Sequence, residues 1–127
     1  MGERHEAYRL SHLRAPGAWQ MAADRSLLEW CARGSARLVF RTYAWDRPTL
    51  SLGRSEPFPG GWDEGALREA GIAVVWRPTG GDAVLHDEEL TFAVAASIPG
   101  PGNLTPRGFA VEVAEALADA LQPFGVP

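Results

Sequence analysis

Lysine is missing from this 127-residue chain, whose twelve basic residues are all arginine. An arginine side chain stays protonated at any ordinary pH, so nothing here can serve as a Schiff-base amine or a proton carrier of the lysine type. Cysteine is almost missing as well. Cys31 alone cannot make an internal disulfide, which fits a reducing compartment. No apolar run approaches the roughly 18 residues that a membrane span needs. The first ten residues carry four charged positions and no apolar stretch of a secretion signal. Glu6 stands where a myristoylation motif wants Ser or Thr. A net charge of −4 leaves no electrostatic footprint for nucleic acid. Together these absences predict a cytoplasmic protein that engages neither nucleic acid nor membrane.

What is present describes one globular domain at most, with 46% apolar and 22% charged residues and no repeat or low-complexity linker. Met21 to Arg33 reads as a helix, because Ala23, Leu27 and Trp30 fall on one face beside Leu28 and Cys31, with Gly34 as the stop. Leu38 to Tyr43 is rich in β-formers. Asp46, Arg47 and Pro48 form a turn into a second strand, Thr49 to Leu52, which predicts a hairpin. Glu56 to Gly61 is a loop, and Glu64 to Ala70 is a short helix capped by Asp63 and ended by Gly71. Ile72 to Arg77 and Ala83 to Leu85 read as strands of a second hairpin, turned at Gly80 and Gly81. Leu90 to Ser97 alternates as a strand does, and Pro99 to Pro106 is a loop. Thr105 can cap a last helix with Pro106 at its first position, carrying Phe109, Val113, Leu117 and Leu121 until Pro123 ends it. This order predicts an α+β fold, with a largely antiparallel or mixed sheet and helices packed on one face.

Chemistry concentrates in Arg77-Pro78-Thr79-Gly80-Gly81-Asp82-Ala83-Val84-Leu85-His86-Asp87. Gly80 and Gly81 can take φ > 0 and expose consecutive backbone amides, while Arg77 adds a fixed charge and a planar fork of donors. Such a loop suits a phosphate or a polarised carbonyl, although a plain β-turn would look the same in so short a pattern. His86 can exchange a proton near neutral pH, but beside Asp87 at a strand end it reads as an orienting residue. Cys31 sits on an apolar helix face with no basic neighbour in sequence, so core packing explains it better than a nucleophile does.

The longer string Trp76 to Ala95 (WRPTGGDAVLHDEELTFAVA) closely resembles the signature of the lipoate-protein ligase and octanoyltransferase family, within the biotin and lipoate ligase superfamily. The resemblance extends to Met21-Ala22-Ala23-Asp24-Arg25-Ser26-Leu27-Leu28 and to the segment from Arg41 to Arg54, covering most of residues 19 to 97. The strings "RPTGG", "AVLHDEELT" and "TLSLGR" look more like the octanoyltransferase branch than the ATP-dependent ligase branch. Gly53-Arg54 is too short to support a biotin ligase.

The resemblance implies that residues 1–127 are the N-terminal part of a single ligase-type catalytic domain, incomplete at its C-terminus. It implies an acyl tunnel inside the sheet, with Arg77, Thr79, Gly80, Gly81, Asp82, Ala83, Val84, Leu85 and His86 around the acyl head. Trp45, Ser51, Gly53 and Arg54 would lie at its mouth, and Val74, Val84, Phe92 and Val94 could form walls. Octanoate or lipoate would be the substrate group, with no resident cofactor or metal, and ATP with Mg if the ligase branch applies. The donor would be acyl carrier protein. The acceptor would be a lipoyl domain of a 2-oxoacid dehydrogenase or the glycine cleavage H protein. The family's lysine, and any cysteine nucleophile, would lie beyond these residues, so no catalytic residue is assigned here. A non-catalytic half, or a split enzyme completed by a separate C-terminal chain, is the alternative. Asp82 departs from the family's glycine or basic residue. A carboxylate about 4 Å from a bound phosphate would cost on the order of 4 kcal/mol at an effective dielectric near 20, which counts against an adenylate.

Overall fold

The computed structural model describes residues 6–98 and 104–126. The chain divides into two compact units, Met1–Ala96 and Ser97–Pro127. Within the first unit the elements run β1 (Ala7–Ala15), α1 (Gly17–Ala32), β2 (Leu38–Trp45), β3 (Thr49–Leu52), α2 (Glu64–Glu69), β4 (Ala73–Trp76), β5 (Val84–His86) and β6 (Thr91–Ala96). The α+β class is as expected. The strands, however, form two three-stranded mixed sheets, ordered β1-β2-β6 and β4-β3-β5. In each, the central strand has one parallel and one antiparallel neighbour.

Both expected hairpins are therefore absent, for a local reason in each case. The turn after β2 does not fold β3 back onto it. Asp46 donates its amide to the Ala15 carbonyl at the end of β1, and Ala73 donates to the Pro48 carbonyl, so the turn hands the chain from one sheet to the other. In the second sheet β3 inserts between β4 and β5, and the Arg77 amide extends the parallel ladder to the Leu52 carbonyl at 2.8 Å. β1 is the other departure. It lies parallel to β2, with a register shift between Leu10 and Leu13. Its run of Arg9, Ser11, His12 and Arg14 hides the alternation by which strands are recognised.

The core lies where α1 packs against β2, β4 and β6. Along β2 the residues Val39, Arg41, Tyr43 and Trp45 are buried, while Leu38 and Phe40 are exposed, the period of a strand covered on one face. Leu27 and Cys31 of α1 join Ala36, Val39 and Ala95 in one cluster, and Met21 joins Tyr43, Trp45 and Val75 in another. Each large apolar side chain so covered contributes about 1.5–3 kcal/mol relative to exposure. Leu28, expected on the core face, is instead 42% exposed and borders a groove. Asp63 caps α2 by accepting the Ala66 amide, as its position predicts.

In the second unit Thr105 accepts the Gly108 amide and starts α3 (Pro106–Leu121), which ends in a 3-10 turn over Gln122–Phe124 around Pro123. Residues 99–103 of the expected Pro99 to Pro106 loop lie outside the described residues.

Candidate functional site

The inner positions of β6 are occupied by Thr91, Ala93 and Ala95, and side chains this small leave space beneath α1. The space is a groove of about 260 Å³, roofed by Met21, Asp24, Leu27 and Leu28 of α1 and backed by Tyr43 and Trp45 of β2. From Thr91 to Ala95 it follows the strand for about 13 Å at ~3.3 Å per residue. One end meets Leu27 and Ala95 in the apolar core. The other is closed by Arg77, Pro78, Thr79 and His86, at the start of the glycine turn.

The turn is held from within. Arg77 donates through Nη1 to the Ser51 carbonyl at 2.9 Å and to Ser51 Oγ at 2.8 Å. Its Nη2 donates to the carbonyls of Gly80 at 3.1 Å and Asp82 at 2.9 Å. The fork of donors is thus turned onto the protein's own backbone rather than held out to a ligand. Gly81 sits at φ +104°, a conformation that L side chains rarely adopt. Gly53, at the end of β3, is glycine for another reason: a Cβ there would overlap the Gly81 carbonyl oxygen. The Arg54 amide also donates to the Thr79 carbonyl at 2.9 Å, locking turn to strand. Among the described residues, none of the amides of Thr79 to Ala83 donates to a backbone carbonyl. Successive unengaged amides over a cation form the kind of concavity that receives an anion or an oxyanion.

His86 connects this turn to the groove. Its Nε2 lies 2.7 Å from Ser51 Oγ and its Nδ1 2.8 Å from Glu89 Oε1. Trp45 stacks on the imidazole, with centroids 4.2 Å apart, and donates its indole N–H to Thr91 Oγ1 at 2.9 Å. Thr91 in turn donates to Glu89 Oε2 at 3.1 Å. Arg77, Ser51, His86, Glu89, Thr91 and Trp45 form one continuous circuit.

A second buried network stands behind the groove. Arg41 binds Asp24 Oδ1 through Nε at 2.9 Å and Nη2 at 2.7 Å, and reaches Gln20 Oε1 and the Gln20 carbonyl. Its guanidinium also lies 3.9 Å from the Tyr43 ring centroid. Tyr43 donates its hydroxyl to Asp24 Oδ2 at 3.0 Å. Burial first, and then the adjoining Asp24 carboxylate, raise the Tyr43 pKa well above the usual phenol value, so the hydroxyl stays neutral.

Of the residues expected at the site, Trp45, Arg77, Thr79 and His86 line the groove, together with Phe92 and Val94 of the expected walls. Ser51 lies buried behind His86, and Gly53 lies behind the turn. Arg54, Gly80, Gly81 and Asp82 are exposed around the turn. Val84 and Leu85 are 46% and 58% exposed and do not line the groove, and Val74 lines a separate depression with Phe58 and Leu67. Cys31 is buried, and burial pushes its thiol pKa up, which matches a packing residue. Sequence reasoning missed Gln20, Asp24, Arg41, Glu89 and Thr91. The signal for Arg41 was its place at a core position of an alternating strand, where a charge needs a buried partner.

The fold, two mixed sheets bridged by a helix, is that of the lipoate-protein ligases among solved structures. Residues 16–127 match the lipoyl protein ligase A/B catalytic domain, and the chain belongs to that family. It is 44% identical over 80 residues to the octanoyltransferase LipM of Anoxybacillus flavithermus, an alignment covering 63% of this chain and 29% of that protein. It is 38% identical over 124 residues to the LipM of Kyrpidia tusciae, covering 94% of this chain and 44% of that protein. Among solved structures, lipoate-protein ligase A bound with ATP superposes with a TM-score of 0.72 at 25% identity, over 94% of this chain and 48% of that one. The chain thus spans less than half the length of each of these proteins.

Proposed function

We propose that this chain supplies the acyl-binding part of an octanoyltransferase, which moves an octanoyl or lipoyl group from acyl carrier protein to a lysine of a lipoyl-accepting domain. The observation that carries the reading is the groove itself: an apolar slot ending at a turn of unengaged amides over Arg77. Its volume of about 260 Å³ falls below the ~300–1,000 Å³ of pockets for drug-sized ligands and suits one slender chain. Each methylene buried there contributes ~0.8 kcal/mol, so about seven contribute roughly 5–6 kcal/mol. At the turn, the thioester carbonyl would gain negative charge as the acceptor amine attacks it. The amides of Thr79 to Ala83 would stabilise that charge more than the ground-state carbonyl, which is what acceleration requires. Arg77 has no carboxylate partner among the described ion pairs, so its positive charge adds to the same field.

The amine, the departing thiolate and any proton shuttle need residues beyond those described here, since these 127 residues hold no lysine. We therefore read residues 1–127 as part of a single ligase-type domain whose remainder is either contiguous or a second polypeptide. The ATP-dependent ligase reading draws on the ATP-bound relative. Asp82 in the exposed turn disfavours it, because an adenylate phosphate would meet a carboxylate. Incubation with a lipoyl domain and either octanoyl-acyl carrier protein or ATP plus octanoate, read by intact mass, tests both. The expected result is acceptor acylation from the carrier-protein donor when the rest of the domain is supplied, and none by these 127 residues alone. Acylation only with ATP would replace the first reading by the second.

A further inference from the structure

Ser51, His86 and Glu89 stand at the spacings of a nucleophile–base–orienter triad, 2.7 and 2.8 Å apart, yet no attack can start there. Ser51 is 0% exposed, and its Oγ already accepts from Arg77 Nη1. The same geometry does something else. The Glu89 carboxylate accepts from Nδ1, so a neutral His86 would place its one proton there and leave Nε2 as an acceptor. Nε2 then accepts a hydrogen bond from the Ser51 hydroxyl, which turns an Oγ lone pair toward Arg77. Arg77, fixed on that side, pulls in the carbonyls of Gly80 and Asp82. In a peptide unit the N–H points opposite to its C=O, so drawing these carbonyls inward directs the amides of Gly81 and Ala83 outward.

We propose that Glu89 and His86 are positioning residues for the glycine turn, acting through Ser51 and Arg77 to hold its amides outward beside the groove. Thr91 and Trp45 complete the device. The Thr91 hydroxyl occupies the second Glu89 oxygen, and the stacked indole prevents the imidazole from flipping. Because Trp45, His86 and Thr91 also line the groove, a chain entering it presses on the circuit that orders the turn. The link to acyl binding rests on the function proposed above, whereas the ordering of the turn does not.

The test needs no active enzyme. In the wild-type chain, ¹⁵N NMR of the imidazole should show the Nδ1–H tautomer with Nε2 unprotonated, and an Nε2–H tautomer overturns the proposal. Glu89→Ala removes the orienter. The ¹⁵N order parameters of Gly81 to Ala83 should then fall from about 0.85, the rigid-backbone value, to below about 0.6, while those of β2 stay at the wild-type values. Glu89→Gln keeps an acceptor oxygen for Nδ1–H and should restore most of the rigidity. If Glu89→Ala fails to fold, the Gln variant and the wild-type tautomer still decide. Order parameters in the turn that do not change, or that fall equally everywhere, overturn positioning. With octanoic acid as probe, affinity should fall in step with the order parameters of the turn. A loosened turn with unchanged octanoate affinity would instead overturn the acyl-head reading of the turn and leave its ordering intact.

Discussion

Arg41 and Arg77 are both tied into the fold by several hydrogen bonds, but their charges are treated in opposite ways. Arg41 is buried and faces a carboxylate, with Asp24 bound at 2.7 and 2.9 Å. Arg77 lies half-buried and meets only carbonyls and one hydroxyl. The first charge is cancelled where it stands, so Arg41 joins α1 to β2 and has no field left to offer. The second is geometrically fixed but has no directly bound carboxylate among the described ion pairs, at the end of an apolar groove, which favours preorganised stabilisation of a developing negative charge. Hydrogen-bond number alone does not separate a structural arginine from a functional one. The sign of the partners does.

The sharpest way to break the comparison is at the cancelled charge. Asp24→Ala leaves Arg41 buried without a counter-ion and should destabilise the chain by about 3–5 kcal/mol in urea unfolding. The same change barely touches the field at the turn. Gly53→Ala forces a Cβ into the Gly81 carbonyl oxygen. It should cost about 1–3 kcal/mol of stability and disorder the turn, which ¹⁵N order parameters at Gly81 to Ala83 would show. Arg77→Met removes the charge at the turn while keeping much of the side-chain volume. It should weaken binding of an acyl ligand about tenfold or more, with a smaller stability loss than Asp24→Ala, because the turn loses both a nearby positive charge and the anchor of its Gly80 and Asp82 carbonyls. If the two arginine networks exchanged these signatures, the distinction drawn from their partners would be wrong.

The smallest effect sharpens the picture on the Arg41 side. Tyr43 holds its proton more firmly in the folded state than an ordinary phenol does, through burial and the Asp24 carboxylate. Its contribution is therefore fully present below the unfolded pKa and is lost as pH rises above about 10. Spectrophotometric titration should show Tyr43 ionising only with alkaline unfolding. Ionisation of Tyr43 in the folded chain near its ordinary value would mean that Asp24 and the burial around it do not act as described.

Elements whose signals are local were legible in the sequence. Asp63 and Thr105 each cap the helix that follows, and β2 lies where the β-formers from Leu38 to Tyr43 put a strand. Pairing was not legible. Two of the four strand pairs are parallel, β1 with β2 and β3 with β4, and parallel strands need long crossovers that no turn motif announces. Asp46 to Pro48 therefore read as a hairpin turn when it is a crossing between sheets. At the site, Arg77, Gly80 and Gly81 stood out because their residue types suit anion binding, and His86 stood out as an orienting residue beside Asp87. Ser51 and Gly53 drew notice only through the family resemblance. Glu89 gave no signal, since its role exists only once β3 and β5 bring Ser51 against His86.

The central claim is that the groove between α1 and β6 and the turn over Arg77 form one acyl-binding site. It is tested most directly by titrating octanoic acid into the ¹⁵N,¹³C-labelled chain and mapping the perturbed signals. The account predicts coherent, saturable shifts at the amides of Thr79 to Ala83 and at the methyls of Leu27, Ala93 and Ala95, the two ends of a single ligand. Saturable shifts confined to another surface, or none at these positions, would contradict it.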